Sequence, residues 1–189
     1  KDVMKPPAYV DFMLKKIAAA IEAAWKNRAP GGVSWGLGHA VVGSNRRMVY
    51  RTTQGQPPFG GGTAAMYGRN NIPDFLSVEG SEDTGIEMLF FWNDKKKLTG
   101  CVFNVACPSQ VREFSRYISS DYWGKVRQQM QKRHGAGVFV LPWCGAAGDQ
   151  SPHVQYRKGA EARMRKLRGD SSADQVIARR IVNAVDTAL

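Results

Sequence analysis

The stretch "GIEMLFFWNDKKKLTGCVFNVAC", residues 85–107, decides the fold. Ile86 to Trp92 is an apolar, strand-forming run, and so is Thr99 to Ala106. The "NDKKK" between them is polar and turn-forming, so the stretch predicts a β-hairpin. The second run is apolar on both faces, as a central strand of a sheet would be.

Outward from this hairpin, the same periodicity reasoning predicts the other elements. Towards the N-terminus, "AYVDFMLKKIAAAIEAAWKNR" places Val10, Met13, Leu14, Ile17, Ile21, Ala24 and Trp25 at helical spacing, an amphipathic helix ending before "APGG". "VSWGLGHAVVG" follows as a strand. Residues 51–74 are rich in Gly, Pro and Asn and predict a long loop. Towards the C-terminus, "DYWGKVRQQMQKRHG" predicts a helix closed by Gly135, and "GVFVLPWCG" a buried strand. "SSADQVIARRIVNAVDTAL" predicts a last helix, with Ser171 or Ser172 as N-cap and Asp174 or Gln175 in the capping box. Its apolar face is Val176, Ile177, Ile181, Val182 and Val185. There is no internal repeat. The expectation is an α/β or α+β single domain, a mixed sheet flanked by helices.

Composition narrows the function. The 189 residues suffice for one sizeable core. No apolar run approaches the ~20 residues of a membrane span, and the start "KDVMKPPAY" lacks the apolar region of a signal peptide. The net charge of +11 is compatible with nucleic acid or an anionic membrane surface. Much of the excess lies in "KVRQQMQKRH" and "YRKGAEARMRKLRG", which read as solvated helix faces or a loop. No zinc-finger spacing or RNA-binding strand motif accompanies them, so no nucleic-acid partner is expected. Three cysteines, Cys101, Cys107 and Cys144, are too few for a disulfide framework and read as buried free thiols.

The stretch that suggests chemistry is "VFVLPWCGAAGDQSPH", residues 138–153. It places Ser151 beyond a strand end, where ligand sites of α/β sheets gather. Its glycines permit close backbone approach and positive φ, and its N–H groups can hold an oxyanion. Pro152 restricts Ser151 to an extended conformation. Asp149 orients a neighbour or caps the turn. Asp-x-Ser-Pro is equally a good surface turn, and both readings stand at this level. A serine nucleophile needs an activating base or metal, and the three histidines, His39, His134 and His153, are too scattered for a metal signature. His134, at a helix C-terminus, reads as structural. "GSNRR" places Asn45 and Arg46 after a strand, where an arginine can polarise a carbonyl or bind an anion.

Taken in order, "GSNRR", "FNVACPSQVREFSRYISSDYWG" and "CGAAGDQSPH" resemble segments of the neutral/alkaline, non-lysosomal ceramidase family, from about residue 9 to about residue 155. Those enzymes are zinc-dependent amidases. They carry an Asn-Arg-Ser segment, an apolar strand running into His-x-Thr-Ser, and a Gly-Asp-x-Ser-Pro-Asn loop with the serine nucleophile. The resemblance implies Ser151 as nucleophile, Arg46 as the arginine that contacts the substrate, and Asp149 as a further catalytic residue. It implies Asn45, Gly148 and His153 as substrate contacts, His153 standing where the family has asparagine. Cys107 falls at a zinc-binding histidine. The implied cofactor is zinc and the implied substrate a small lipid-like N-acyl amide, with membrane-surface contact in keeping. The family's remaining zinc ligands lie upstream and downstream. Residues 1–189 are accordingly expected to be one segment of a larger catalytic domain, or a relative that has lost the metal. The family is often secreted or faces outside the cytoplasm. Two other readings are a metal-free serine esterase or amidase using His153 or His39, and a non-catalytic basic binding domain.

Overall fold

The computed structural model describes residues 3–54 and 62–189. The predicted hairpin is the centre of its main sheet. Strand β6 (Gly85–Asn93) and strand β7 (Leu98–Val105) pair antiparallel, Ile86 facing Val105. Asn93 closes the turn, its Oδ1 accepting from the backbone N–H groups of Lys95 and Lys97 at 3.0 and 2.9 Å.

Strand β1 (Gly31–His39) adds antiparallel to the outer side of β6. Helix α2 (Asp121–His134) then carries the chain from β7 to β8 (Phe139–Cys144), which pairs parallel to β7. The sheet order is β1-β6-β7-β8, and its one parallel pair is joined by a helix, as a crossover requires. Gly135, at φ 116°, closes α2 as predicted.

Helix α4 (Ala173–Ala188) packs beside α2 on one face of this sheet. The core between them contains Ile86, Phe90, Phe103, Tyr122, Val126, Met130, Ile181 and Val185, all at most 1% exposed. Each such side chain is worth about 1.5–3 kcal/mol of burial. Gly38 lets α4 approach β1, because a Cβ there would stand 2.9 Å from the Ala184 carbonyl oxygen. Ser172 is the N-cap of α4, but its hydroxyl does not cap the helix; Gln175 Oε1 instead accepts from the Ser171 N–H at 3.0 Å.

The other sheet face is open. Trp35 on β1 is 79% exposed, and Val33, Leu37, Phe139 and Trp143 share that exposure. Helix α1 (Pro6–Lys26) forms with its predicted apolar stripe, yet none of its 21 residues is buried. The stripe predicted the helix correctly; no described element covers it.

Two expectations need correction. Residues 51–74 are not one long loop. Strand β3 (Arg47–Gln54) runs into that stretch, and β4 (Gly62–Met66) lies within it; the part of the loop reading over residues 55–61 lies outside the described residues. With β5 (Phe75–Val78) they make a second sheet of order β4-β3-β5. Pairing with neighbours overrides the turn-rich composition there. The stretch "YRKGAEARMRKLRG" holds a solvated helix, α3 (Lys158–Leu167), one of the two forms expected of it. Of the thiols, Cys101 and Cys107 are buried and free, but Cys144 is exposed at the end of the edge strand β8.

Candidate active site

The site is assembled by a two-residue ladder. Strand β2 (Ser44–Asn45) pairs antiparallel with β9 (Gln150–Ser151), Ser44 facing Ser151 and Asn45 facing Gln150. Pro152 holds Ser151 in the extended conformation that this ladder needs. Next to it the Arg46 N–H donates to the Asp149 carbonyl at 2.8 Å, and the Tyr67 N–H to the Arg46 carbonyl at 2.7 Å. The "GSNRR" and "GDQSPH" segments are thus brought together.

Side chains complete the junction. Asn45, 1% exposed, donates from Nδ2 to Asp149 Oδ2 at 2.7 Å. The Arg46 guanidinium donates to the Gly148 carbonyl at 2.7 Å and to the Tyr67 hydroxyl at 3.2 Å. Tyr67 in turn donates to Ser151 Oγ at 3.2 Å, and the His153 backbone N–H donates to the same oxygen at 3.1 Å. Arg46 Nε is buried without a partner among the described residues.

Ser151 is 0% exposed. With two acceptor positions on its hydroxyl, both are taken. Tyr67 is at φ 54°, a left-handed conformation that is uncommon for an aromatic residue. Such outliers concentrate at functional sites.

The histidines are placed otherwise than a serine–histidine pair needs. The His153 ring turns to Glu113, Nε2 to Oε1 at 2.8 Å, and only its backbone reaches the serine. His39 is exposed at the end of β1. His134 pairs with Asp186 at 3.0 Å between α2 and α4, the structural place expected of it. The loop glycines also differ from expectation. Neither Gly145 nor Gly148 has positive φ. Gly145 is there for closeness, since a Cβ would meet Asn104 Oδ1 at 3.3 Å.

Cys107 lies under this junction, 1% exposed, its thiol facing the Pro108 carbonyl at 3.6 Å. Burial pushes that thiol up to about 12, so it carries its proton at neutral pH. Among the described residues no three His, Cys, Asp or Glu side chains converge as a metal site. The described donor set does not fit a zinc ion by itself.

Sequence reasoning missed Tyr67 and Glu113. Both lie in turn-rich or irregular segments, and only the fold brings them to the serine loop. A cavity of ≈ 360 Å³ adjoins the site, its wall combining the apolar Val41, Val111, Val154, Val176 and Ile177 with the charged Lys158, Glu161, Arg165 and Arg180. That is within the ~300–1,000 Å³ of ordinary ligand pockets. The exposed Phe114 stands nearby, its ring 6.3 Å from that of His153.

The architecture, a mixed sheet with helices on one face and a serine loop at its edge, has counterparts among solved structures. The neutral ceramidase from Pseudomonas aeruginosa superposes with a TM-score of 0.62 at 16% identity, over 96% of this chain and 26% of that one. A ceramidase complexed with C2 superposes with a TM-score of 0.54 at 15% identity, over 88% of this chain and 23% of that one. The chain has a ceramidase-like fold and spans about a quarter of the length of those proteins. No family model and no curated protein matches its sequence.

Proposed function

We propose that this chain is a segment of a larger ceramidase-like catalytic domain that hydrolyses an N-acyl amide, with Ser151 as nucleophile. The observation that carries the reading is the hydrogen-bonded series Arg46–Tyr67–Ser151 across the β2–β9 ladder. The fold likeness supports it, and so do the valine and isoleucine part of the cavity wall and the exposed Phe114, which suit a lipid-like acyl chain.

In this reading Ser151 Oγ, aligned by the Tyr67 hydroxyl, attacks the carbonyl carbon. The unpartnered Arg46 Nε–H donates to the oxygen that becomes negative. The C–N bond breaks, the serine proton ends on the departing amine, and water then hydrolyses the acyl-serine to a carboxylate. Asn45 and Asp149 position the loop rather than react. Gly148 contributes the carbonyl that aims Arg46, and His153 the N–H that aims Oγ. Zinc, which the sequence resemblance implies, would draw its ligands from beyond the described residues, and no step here passes through it.

The test is hydrolysis of a fluorogenic N-acyl amide by the intact protein and its Ser151→Ala and Arg46→Ala variants. Loss of activity in both supports the reading. A folded Ser151→Ala variant with unchanged activity sinks it. The full burial of Ser151 favours a second reading, a basic binding domain in which Ser151 is a ladder residue, and no hydrolysis by the intact protein would support it.

A further inference from the structure

On the far side of Tyr67 lies a second cleft of ≈ 490 Å³, lined by Tyr67, Arg69, Asn71, Tyr156, Arg157 and Lys158 among others, with no carboxylate in its wall. Arg69, Arg157 and Lys158 form no ion pair with another described residue, whereas five other arginines, Arg47, Arg112, Arg133, Arg179 and Arg180, are each paired with Asp or Glu. Three unneutralised cations around one hollow repel one another unless an anion joins them.

The hollow is held in shape. Asn70 Nδ2 donates to the Gln155 carbonyl at 2.7 Å and ties its two walls together. The Tyr50 hydroxyl donates to the Arg69 carbonyl at 3.0 Å, and the Tyr156 ring packs on Phe75 at 5.8 Å. Arg157, at φ 54°, sits in the left-handed region directly before α3. That conformation costs of order 1 kcal/mol or more in a non-glycine residue. No side chain caps α3, so its first N–H groups add positive potential beside Lys158.

We propose that this cleft binds the anionic head group, carboxylate or phosphate, of the amphiphile whose amide Ser151 attacks. The inference rests on the proposed hydrolase reading for its connection to Ser151. Tyr67 belongs to both places: it lines the cleft, and its hydroxyl donates to Ser151 Oγ at 3.2 Å. Lys158 likewise lines both this cleft and the cavity beside the serine loop. A molecule with a fatty acyl chain, an amide and an acid therefore meets an apolar wall, a serine and a cationic hollow. A neutral head group leaves the three cations unsatisfied.

The experiment is calorimetric binding of N-dodecanoylglycine and its neutral analogue N-dodecanoylglycinamide to the intact Ser151→Ala protein, below their micelle concentrations. The acid is expected to bind about tenfold more tightly, one charge-assisted contact's worth. That preference should shrink with added salt. It should fall several-fold in Arg69→Gln and in Lys158→Gln, two exposed positions where circular dichroism checks the fold. Equal affinity for acid and amide, or a preference untouched by either substitution, overturns the proposal. So does binding to phosphatidylserine vesicles with none of the free acid. Preferential binding of the acid, with no hydrolysis by the unsubstituted protein, upholds the cleft and removes the hydrolase reading. Hydrolysis without charge preference does the reverse.

Discussion

Asn45 donates to the Asp149 carboxylate at 2.7 Å across 104 residues of chain, and this contact pins the two halves of the site to each other. The other end of the Asn45 amide accepts from the Arg47 N–H at 2.9 Å. Asn45→Ala leaves that N–H and a part-buried carboxylate oxygen without their partners. The expected loss is about 2 kcal/mol, read as a lower urea midpoint at unchanged slope. An unchanged midpoint would show that the ladder holds without the amide.

Tyr67→Phe separates the hydroxyl from the ring. The ring keeps its place, so stability should change by less than about 1 kcal/mol. Under the proposed reading Ser151 loses its aligning donor, and kcat/KM should drop at least about tenfold, or about 1.4 kcal/mol of transition-state stabilisation. Full activity in this variant would remove Tyr67 from the mechanism.

The three thiols should separate by reactivity. Burial pushes Cys101 and Cys107 up to about 12, and both are shielded from solvent, while Cys144 is exposed. Ellman's reagent at mild alkaline pH should titrate one fast thiol in the folded chain and three after denaturation. Cys144→Ser should abolish the fast phase, and Cys107→Ala should leave it intact. Fast labelling of Cys107 would mean that its thiol is accessible in the folded chain.

Asp174, 4% exposed at the start of α4, makes stability depend on acid. Burial alone would raise its carboxyl, but the Ser172 hydroxyl and the Arg112 guanidinium, at 2.9 Å, outweigh that and hold it below the usual carboxylate range. A depressed folded-state value means that the stabilisation is complete above the ordinary aspartate value near ~3.9 and disappears as pH falls through the lower one. Asp174→Asn should therefore cost stability at pH 7 and narrow its gap from the parent protein as the pH drops below about 4. A gap that stays constant down to pH 2 would assign the cost to packing instead.

The elements with strong local periodicity were legible from the residues alone. The apolar alternation and polar turn of residues 85–107 define β6 and β7 as a hairpin, and the all-apolar second run marks β7 as central. Helices α1, α2 and α4 follow from 3.6-residue spacing, with Gly135 and the Ser171–Gln175 pair at their ends. These signals depend only on neighbours in sequence. The serine loop also stood out, because glycine and proline leave a local mark.

Tertiary structure alone decided the rest. It paired β2 with β9, buried Ser151, and brought Tyr67 and Glu113 to it and to His153. It turned part of residues 51–74 into strands and left the apolar stripe of α1 bare. Two-residue ladders and single side-chain contacts have no periodicity to read. Their partners are chosen by the packing of segments far apart in the chain, and so is whether an apolar face is covered.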